Sequence, residues 1–231
     1  STNTQIYSNR LTGMKSHQNV PDGTAAISVE GSTGFAIFNN FVQTTGEGIA
    51  FGITLRQSAS AILHFNSVST CNTDVQGRSS SLLMEECGYM QARNNILSVA
   101  ESGIPISLDI PTPTLDFDHN DYYSFDGTIA LCNGTRYHSI ADWSSAVGMD
   151  ATSLSVIPFF TSDSDLSINQ ALLNNTAVPV AGIAFDIDGM PRDPSFPDYG
   201  AKEYQPCAAD AGINAVTSPQ NPLPGGVQTV T

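Results

Sequence analysis

Short runs of alternating apolar and polar residues recur through the first half of the chain, and each runs into an asparagine. Residues 34–42, 60–68, 88–97 and 114–123 all share this form, with Asn40, Asn66, Asn95 and Asn120 separated by 26, 29 and 25 residues. A weaker copy, Ile6-Tyr7-Ser8-Asn9-Arg10-Leu11, places Asn9 another 31 residues upstream of Asn40. Period-2 alternation over four or five residues describes a strand with one buried and one solvated face. An asparagine at the bend between two such strands can enter the left-handed conformation that most residues resist. Stacked on the same bend of the next rung, its amide can bond the amides above and below.

Further strands are predicted between these anchors, at Ile27-Ser28-Val29, Phe51-Gly52-Ile53-Thr54-Leu55 and Ser81-Leu82-Leu83-Met84. Each period then holds two or three strands and forms one coil, so the fold expected is an all-β, right-handed parallel β-helix of about four or five coils. The competing fold, a β-sandwich, needs hairpin turns every ~8–12 residues. Asn-Gly and Asp-Gly pairs are too few here to supply them.

The rhythm changes near residue 128. Ser139 followed by Asp142, apolar residues at helical spacing and a closing Gly148 predict one short helix with its Trp143 turned inward. Pro158-Phe159-Phe160 and Leu166-Ser167-Ile168 read as irregular closing coils of a cap, which protects the open edge of the last rung. The division expected is therefore 1–127 for the coils, 128–206 for closing coils and cap, and 207–231 for a linker and the first strand of a truncated β-sandwich module. Ser1 carries neither an initiator Met nor a leader, so a piece of a longer chain is expected.

Composition removes several classes of function. The chain has 231 residues, 40% of them apolar but only 13% charged, with 8 basic against 22 acidic side chains and a net charge of −14. A chain this acidic is no partner for a phosphate backbone or an anionic lipid surface. No stretch approaches the ~20 apolar residues of a membrane span. The four cysteines, Cys71, Cys87, Cys132 and Cys207, contain no CxxC pair, which argues against structural zinc. Their even number suits an oxidising, exported setting. Cys71 and Cys87 bracket a single loop and are the candidate disulfide; buried free thiols are the alternative.

The second half carries a resemblance. His119-Asn120-Asp121-Tyr122-Tyr123, Ala141-Asp142-Trp143, Gly148-Met149-Asp150-Ala151, Asp186-Ile187-Asp188-Gly189-Met190-Pro191-Arg192 and Pro197-Asp198-Tyr199-Gly200-Ala201-Lys202-Glu203-Tyr204 follow one another in order. This series resembles the C-terminal part of right-handed parallel β-helix proteins exported by Bacteroidetes-type bacteria, often through the gliding-linked type IX system. Lys202 stands where that family usually has an aromatic or apolar residue. The tail is similar to the start of the immunoglobulin-like modules that follow such domains in adhesins. The resemblance implies a display module at the surface of a Gram-negative bacterium, with neighbouring domains of the same chain as partners. It implies no catalysis by itself.

A hydrolase needs carboxylates converging on one face; Asp116 and Asp118 alternate on a strand and share one, beside His119. The catalytic blocks of pectin hydrolases are absent. A lyase needs a basic residue near acids, but Lys15 and Lys202 lie outside the repeats, leaving Arg56, Arg78 and Arg93. His64, among Ile62, Leu63 and Phe65, reads as a rung residue. Asp116, Asp118, His119, Tyr122 and Tyr123 form the candidate glycan-binding set, because aromatic faces beside acids suit a sugar; the alternative is a solvated acidic face with the tyrosines packed in the core. Asp186 and Asp188, two apart before Gly189, have the opening of a Ca2+ loop without its continuation; no other cofactor is called for. The reading that results is a non-catalytic scaffold or adhesive module contacting polysaccharide or surface glycans. The alternative is a β-helix polysaccharide lyase or glycoside hydrolase.

Overall fold

The computed structural model describes residues 4–18, 20–74, 77–110 and 115–204. The expected linker and sandwich strand at 207–231 lie outside the described residues. The first coil consists of β1 (Thr4–Tyr7), β2 (Arg10–Ser16) and β3 (Thr24–Glu30), and the second of β4 (Phe35–Phe38), β5 (Phe41–Gly46) and β6 (Ala50–Arg56). The third holds β7 (Ala61–His64), β8 (Ser67–Asn72) and β9 (Ser80–Glu85), the fourth β10 (Met90–Arg93), β11 (Ile96–Val99) and β12 (Ile104–Asp109). A last round brings β13 (Leu115–Asp118), β14 (Asp121–Ser124) and β15 (Ala130–Cys132), against which β16 (Thr135–Tyr137) folds back antiparallel.

Corresponding strands of successive coils pair in parallel, giving a first sheet β1-β4-β7-β10-β13, a second β14-β11-β8-β5-β2 and a third β15-β12-β9-β6-β3 that β16 extends. The chain is thus an all-β parallel β-solenoid of about four turns with one short helix, as the repeat predicts.

Counting from the ladder asparagines gives the direction of the side chains in the first two sheets, except beyond Leu11 in β2, where the register shifts before Met14. Three residues before each lie Ile37, Leu63, Ala92 and Phe117; two after lie Val42, Val68, Leu97 and Tyr122, and both rows are buried in one core. The third sheet adds Ile27, Ile53, Leu82 and Ile106. Each such aliphatic side chain contributes about 1.5–3 kcal/mol by burial. The interior is narrow: a methyl group on Gly52 would meet Val68 Cγ1 at 2.3 Å and the Ser81 carbonyl oxygen at 2.7 Å.

The asparagine ladder runs through the whole stack. Each side-chain Nδ2 donates to the Oδ1 of the next asparagine at 2.9 Å, from Asn9 to Asn40, Asn66, Asn95 and Asn120. Each Oδ1 also accepts the backbone N–H of the asparagine before it, at 3.0–3.2 Å. Ser153 takes the next place, its Oγ accepting the Asn120 N–H at 2.9 Å.

In one respect the expectation is corrected. The left-handed residue of each corner is the one before the ladder asparagine: Ser8, Asn39, Phe65, Asn94 and His119 have φ of 52–60°. A ladder side chain must lie along the stacking axis inside the corner, so the preceding residue makes the bend and points outward.

After β16, α1 (Ile140–Val147) has the predicted caps. Ser139 Oγ accepts the Asp142 N–H at 3.1 Å, and Gly148 closes the helix at φ 73°. Trp143 is fully buried in the solenoid core, packed edge-on to Tyr137 at 5.3 Å.

Residues 150–156 continue the stack on the last corner, where Leu154 N–H donates to Asn120 O and Tyr122 N–H to Leu154 O. Beyond that, the stretches expected as closing coils near Pro158 and Leu166 add no strand. The chain instead returns along the outside of the corner between the first and second sheets. Asn94 Nδ2 donates to Val178 O at 2.7 Å and its Oδ1 accepts the Val178 N–H at 3.1 Å. Two coils further along, Asn39 Nδ2 donates to Phe185 O at 2.7 Å and Asn39 Oδ1 accepts from Arg192 at 2.9 Å. The segment then turns back, and the Gly200 and Ala201 N–H groups donate to Asn94 O and Ser67 Oγ. Phe65 and Ile96 pack beneath it against Ile168, Leu173, Ile183 and Tyr199, and Phe41 against Leu166. The outward left-handed row is what this return segment grips.

Candidate functional site

The residues two before each ladder asparagine form an outward row on the first sheet: Tyr7, Phe38, His64, Arg93 and Asp118 stand in register. Stacking at the sheet spacing brings the Tyr7 and Phe38 rings to 4.9 Å with planes 3° apart. His64 follows, buried. Burial, and after it the Arg93 cation, hold its pKa down to about 4, with the Gln91 side chain and Asp116 only partly offsetting them. It is a neutral rung residue at pH 7, in keeping with its sequence setting.

The candidate glycan-binding set is divided by the structure. Asp116 and Asp118 do face outward from β13, but each is engaged. Asp116 accepts from Gln91 Nε2 at 2.7 Å and from Arg93 at 2.6 Å; Asp118 accepts from Thr152 N and Oγ1 at 3.1 and 2.6 Å. His119, in the corner, meets Asp118 at 3.2 Å and Thr152 Oγ1 at 2.9 Å. Burial tends to raise the Asp118 pKa, but the bonds from Thr152 and the neighbouring His119 outweigh it and lower the value.

Tyr122 is a correction: it points into the core with no exposure, and its hydroxyl donates to Asp150 at 2.9 Å. It stands in the row of Val42, Val68 and Leu97, so it offers no face to a ligand. Tyr123, half-buried, faces outward on the second sheet, around the corner from the acids. Asp150 gathers Tyr122, Trp143 Nε1 (2.8 Å), Ser153 Oγ and Asn120 Nδ2. Burial raises its pKa against the pull of these donors. This buried network locks the helix to the last rung.

The proposed disulfide is absent. Cys71 and Cys87 are both free, as is Cys132. Cys71 lies half-exposed on β8, whereas Cys87 is buried after β9 with its thiol turned to the Leu55 carbonyl at 3.3 Å, so bracketing one loop does not make the two converge. Cys207 lies outside the described residues.

Asp186 and Asp188 have protein partners. Asp186 Oδ1 accepts the N–H groups of Asp188 and Met190, both at 2.8 Å, and its Oδ2 accepts the Glu203 N–H at 3.1 Å. Asp188 pairs with Arg10 and, at 3.1 Å, with Lys202. Arg192 donates to Glu203 at 2.7 Å and lies 3.9 Å over the Phe65 ring. Among the described residues no group of three or more His, Cys, Asp or Glu side chains could hold a metal ion.

Two surfaces escaped the sequence reading. One is a cleft of about 650 Å³ between the first sheet and the return segment, with Gln5, Tyr7, Phe38 and Phe185 among its walls. Tyr7 is 52% and Phe185 57% exposed. The other is an outward row on the third sheet, Glu30-Arg56-Glu85-Asp109, with Glu86 beside it. Arg56 pairs with Glu85, and Gln57 donates to Glu86 at 2.9 Å. The first was available by counting from the repeat, since Tyr7 and Phe38 occupy the same place in successive periods; the third-sheet row was not, because Glu30, Arg56, Glu85 and Asp109 lie 21, 16, 19 and 14 residues after their ladder asparagines. Comparison with known families, curated proteins and solved structures finds no match to this chain.

Proposed function

We propose that this chain is a non-catalytic scaffold and adhesive module of an exported bacterial surface protein, carried by neighbouring domains of the same chain outside a Gram-negative cell. One observation carries the scaffold reading: charged side chains on the first sheet, and the arginine laid over its corner, are held by partners of the same chain. Arg93 is tied to Asp116, Asp118 to Thr152 and Arg192 to Glu203. A site fixed in this way rigidifies a rod. The series of residues near Asn120, Trp143 and Asp186 that resembles Bacteroidetes-type, type IX-exported β-helix proteins supports the surface assignment.

The adhesive face we assign is the cleft beside Tyr7 and Phe38, where exposed aromatic rings and polar Gln5 and Ser8 can receive a neutral glycan. A glycan array run with reducing-sugar and unsaturated-product assays tests this. Binding without turnover, weakened at least tenfold by Tyr7→Ala with Phe185→Ala, supports the reading; turnover above blank overturns it. The second reading, a lyase or hydrolase, is favoured by the acids around Arg56 on the third sheet, which border a further cleft of about 850 Å³ through Glu86 and Asp109. Turnover abolished by Asp109→Asn would establish it.

A further inference from the structure

The row one residue after the ladder asparagines, Arg10, Phe41, Ser67, Ile96 and Asp121, faces outward from the second sheet, yet four of its five members have almost no exposure. The return segment covers Phe41, Ser67 and Ile96, and Val156, which leads into it, meets Asp121. Four positions are matched to that cover: Arg10 pairs with Asp188, Phe41 packs on Leu166, Ser67 accepts from Ala201, and Ile96 joins Tyr199.

Asp121 is matched on one side only. Its Oδ1 accepts the Val156 N–H at 2.9 Å, while the buried Oδ2 has no hydrogen-bond partner among the described residues. Ile96 lies on one side of it and Leu154 on the other. The titratable groups gathered here are Tyr199 from the return segment, Asp118 with its neighbour His119 from the corner, and Asp150 from the segment after α1. No cation pairs with Asp121 among the described residues. An ionised carboxylate in such a place is strongly disfavoured.

We propose that residues 155–204 are a proton-seated strap, seated at its start by the Val156 N–H on Asp121, closed over the corner of the solenoid while the Asp121 carboxyl is neutral and released as that carboxyl ionises. Burial pushes Asp121 up to about 8, against the bond from Val156. Released, the carboxyl is wet and returns to the ordinary range near 4. The closed form therefore binds the extra proton. Its advantage is complete below about pH 4, declines as pH rises, and levels off above about 8. Opening uncovers the apolar groups of Phe41, Phe65 and Ile96. Within the strap, Asp198 is pushed up to about 6 by burial, against the N–H groups of Asn175 and Tyr204 that it accepts, so it titrates in the same sense and serves as the control.

Hydrogen exchange of the whole chain, followed by mass spectrometry at pH 5 and pH 8 and corrected for intrinsic rates, reads the strap directly. Protection of strap peptides is expected to fall about 400-fold over this interval, with the solenoid strands unchanged. Asp121→Asn removes most of that fall, and Asp198→Asn keeps most of it. Asp121→Ser, neutral and shorter, flattens the response in the same way and guards against a folding defect of the first variant. A flat wild-type response, a fall of equal size in both Asp121 variants, or strands that loosen together with the strap would each overturn the proposal.

Discussion

Replacing Asn66 by alanine tests the ladder where it is most enclosed. Asn66 has no exposure, and its side chain makes four bonds. Nδ2 donates to Asn95 Oδ1 and to Ile37 O, both at 2.9 Å, and Oδ1 accepts Asn40 Nδ2 at 2.9 Å and Asn40 N–H at 3.2 Å. Asn40 Nδ2 keeps Ile6 O and Phe38 O, and Asn95 Oδ1 keeps the Asn66 N–H. The Asn40 N–H loses its acceptor in a place water does not reach. One stranded buried donor costs about 1–3 kcal/mol, and three lost bonds about 1 kcal/mol each before relaxation, giving a loss of about 3–5 kcal/mol. Asn9, half-exposed at the first rung, gives one ladder bond, so Asn9→Ala should cost about 1 kcal/mol. Urea unfolding followed by far-UV circular dichroism measures both, with m unchanged. A loss at Asn66 within about 1 kcal/mol of that at Asn9 would refute the idea that the amide stack carries the stability of the solenoid.

Asp150→Ala strands the Tyr122 hydroxyl and the Trp143 indole N–H together and should cost about 3 kcal/mol or more in urea unfolding, with a changed Trp143 emission. Arg192→Lys cannot reproduce the fork to Glu203, Asn39 and Gly200 O, so limited proteolysis should cut within residues 157–201 at least tenfold faster while the strands stay resistant. His64 is held neutral, so its imidazole resonances should stay flat from pH 8 to pH 5 and titrate only near 4. Stability linked to it is lost as pH falls from about 6.5 towards 4, because the unfolded chain takes the proton first. Peptide mapping without reduction should recover Cys71 and Cys87 as separate thiols, with Cys87 unreactive until the chain unfolds, since burial raises both pKa values.

The coils were legible because an asparagine that must meet its own copy on the next rung leaves a period in the sequence, and Asn40, Asn66, Asn95 and Asn120 mark it. Parity counted from them also gives the inward rows; by that count Tyr122 belongs with Val42 and Leu97, which decides for core packing against a sugar-facing ring. The helix was legible from its caps at Ser139 and Gly148. What periodicity cannot express is a cover laid on afterwards. Phe41 and Ile96 point away from the core and are buried only because residues far along the chain come back over them, and nothing local to Asp121 announces its enclosure. The disulfide failed for a related reason: loop length between Cys71 and Cys87 says nothing of which side of a wall each thiol takes.

The double pass of the C-terminal stretch over the outward corner has a bearing on how such a molecule can vary. A repeat held together by identical amides tolerates, in principle, the loss or gain of a whole unit, because the broken stack simply rejoins. Here Val178 must find Asn94, and Phe185 and Arg192 must find Asn39, with the interval between them spanned by a fixed run of residues. Removing one unit would displace one set of anchors by about 4.8 Å relative to the other. The returning chain thus works as a gauge that fixes the number of turns, and length polymorphism in this part of the rod requires a matching change at the far end of the sequence.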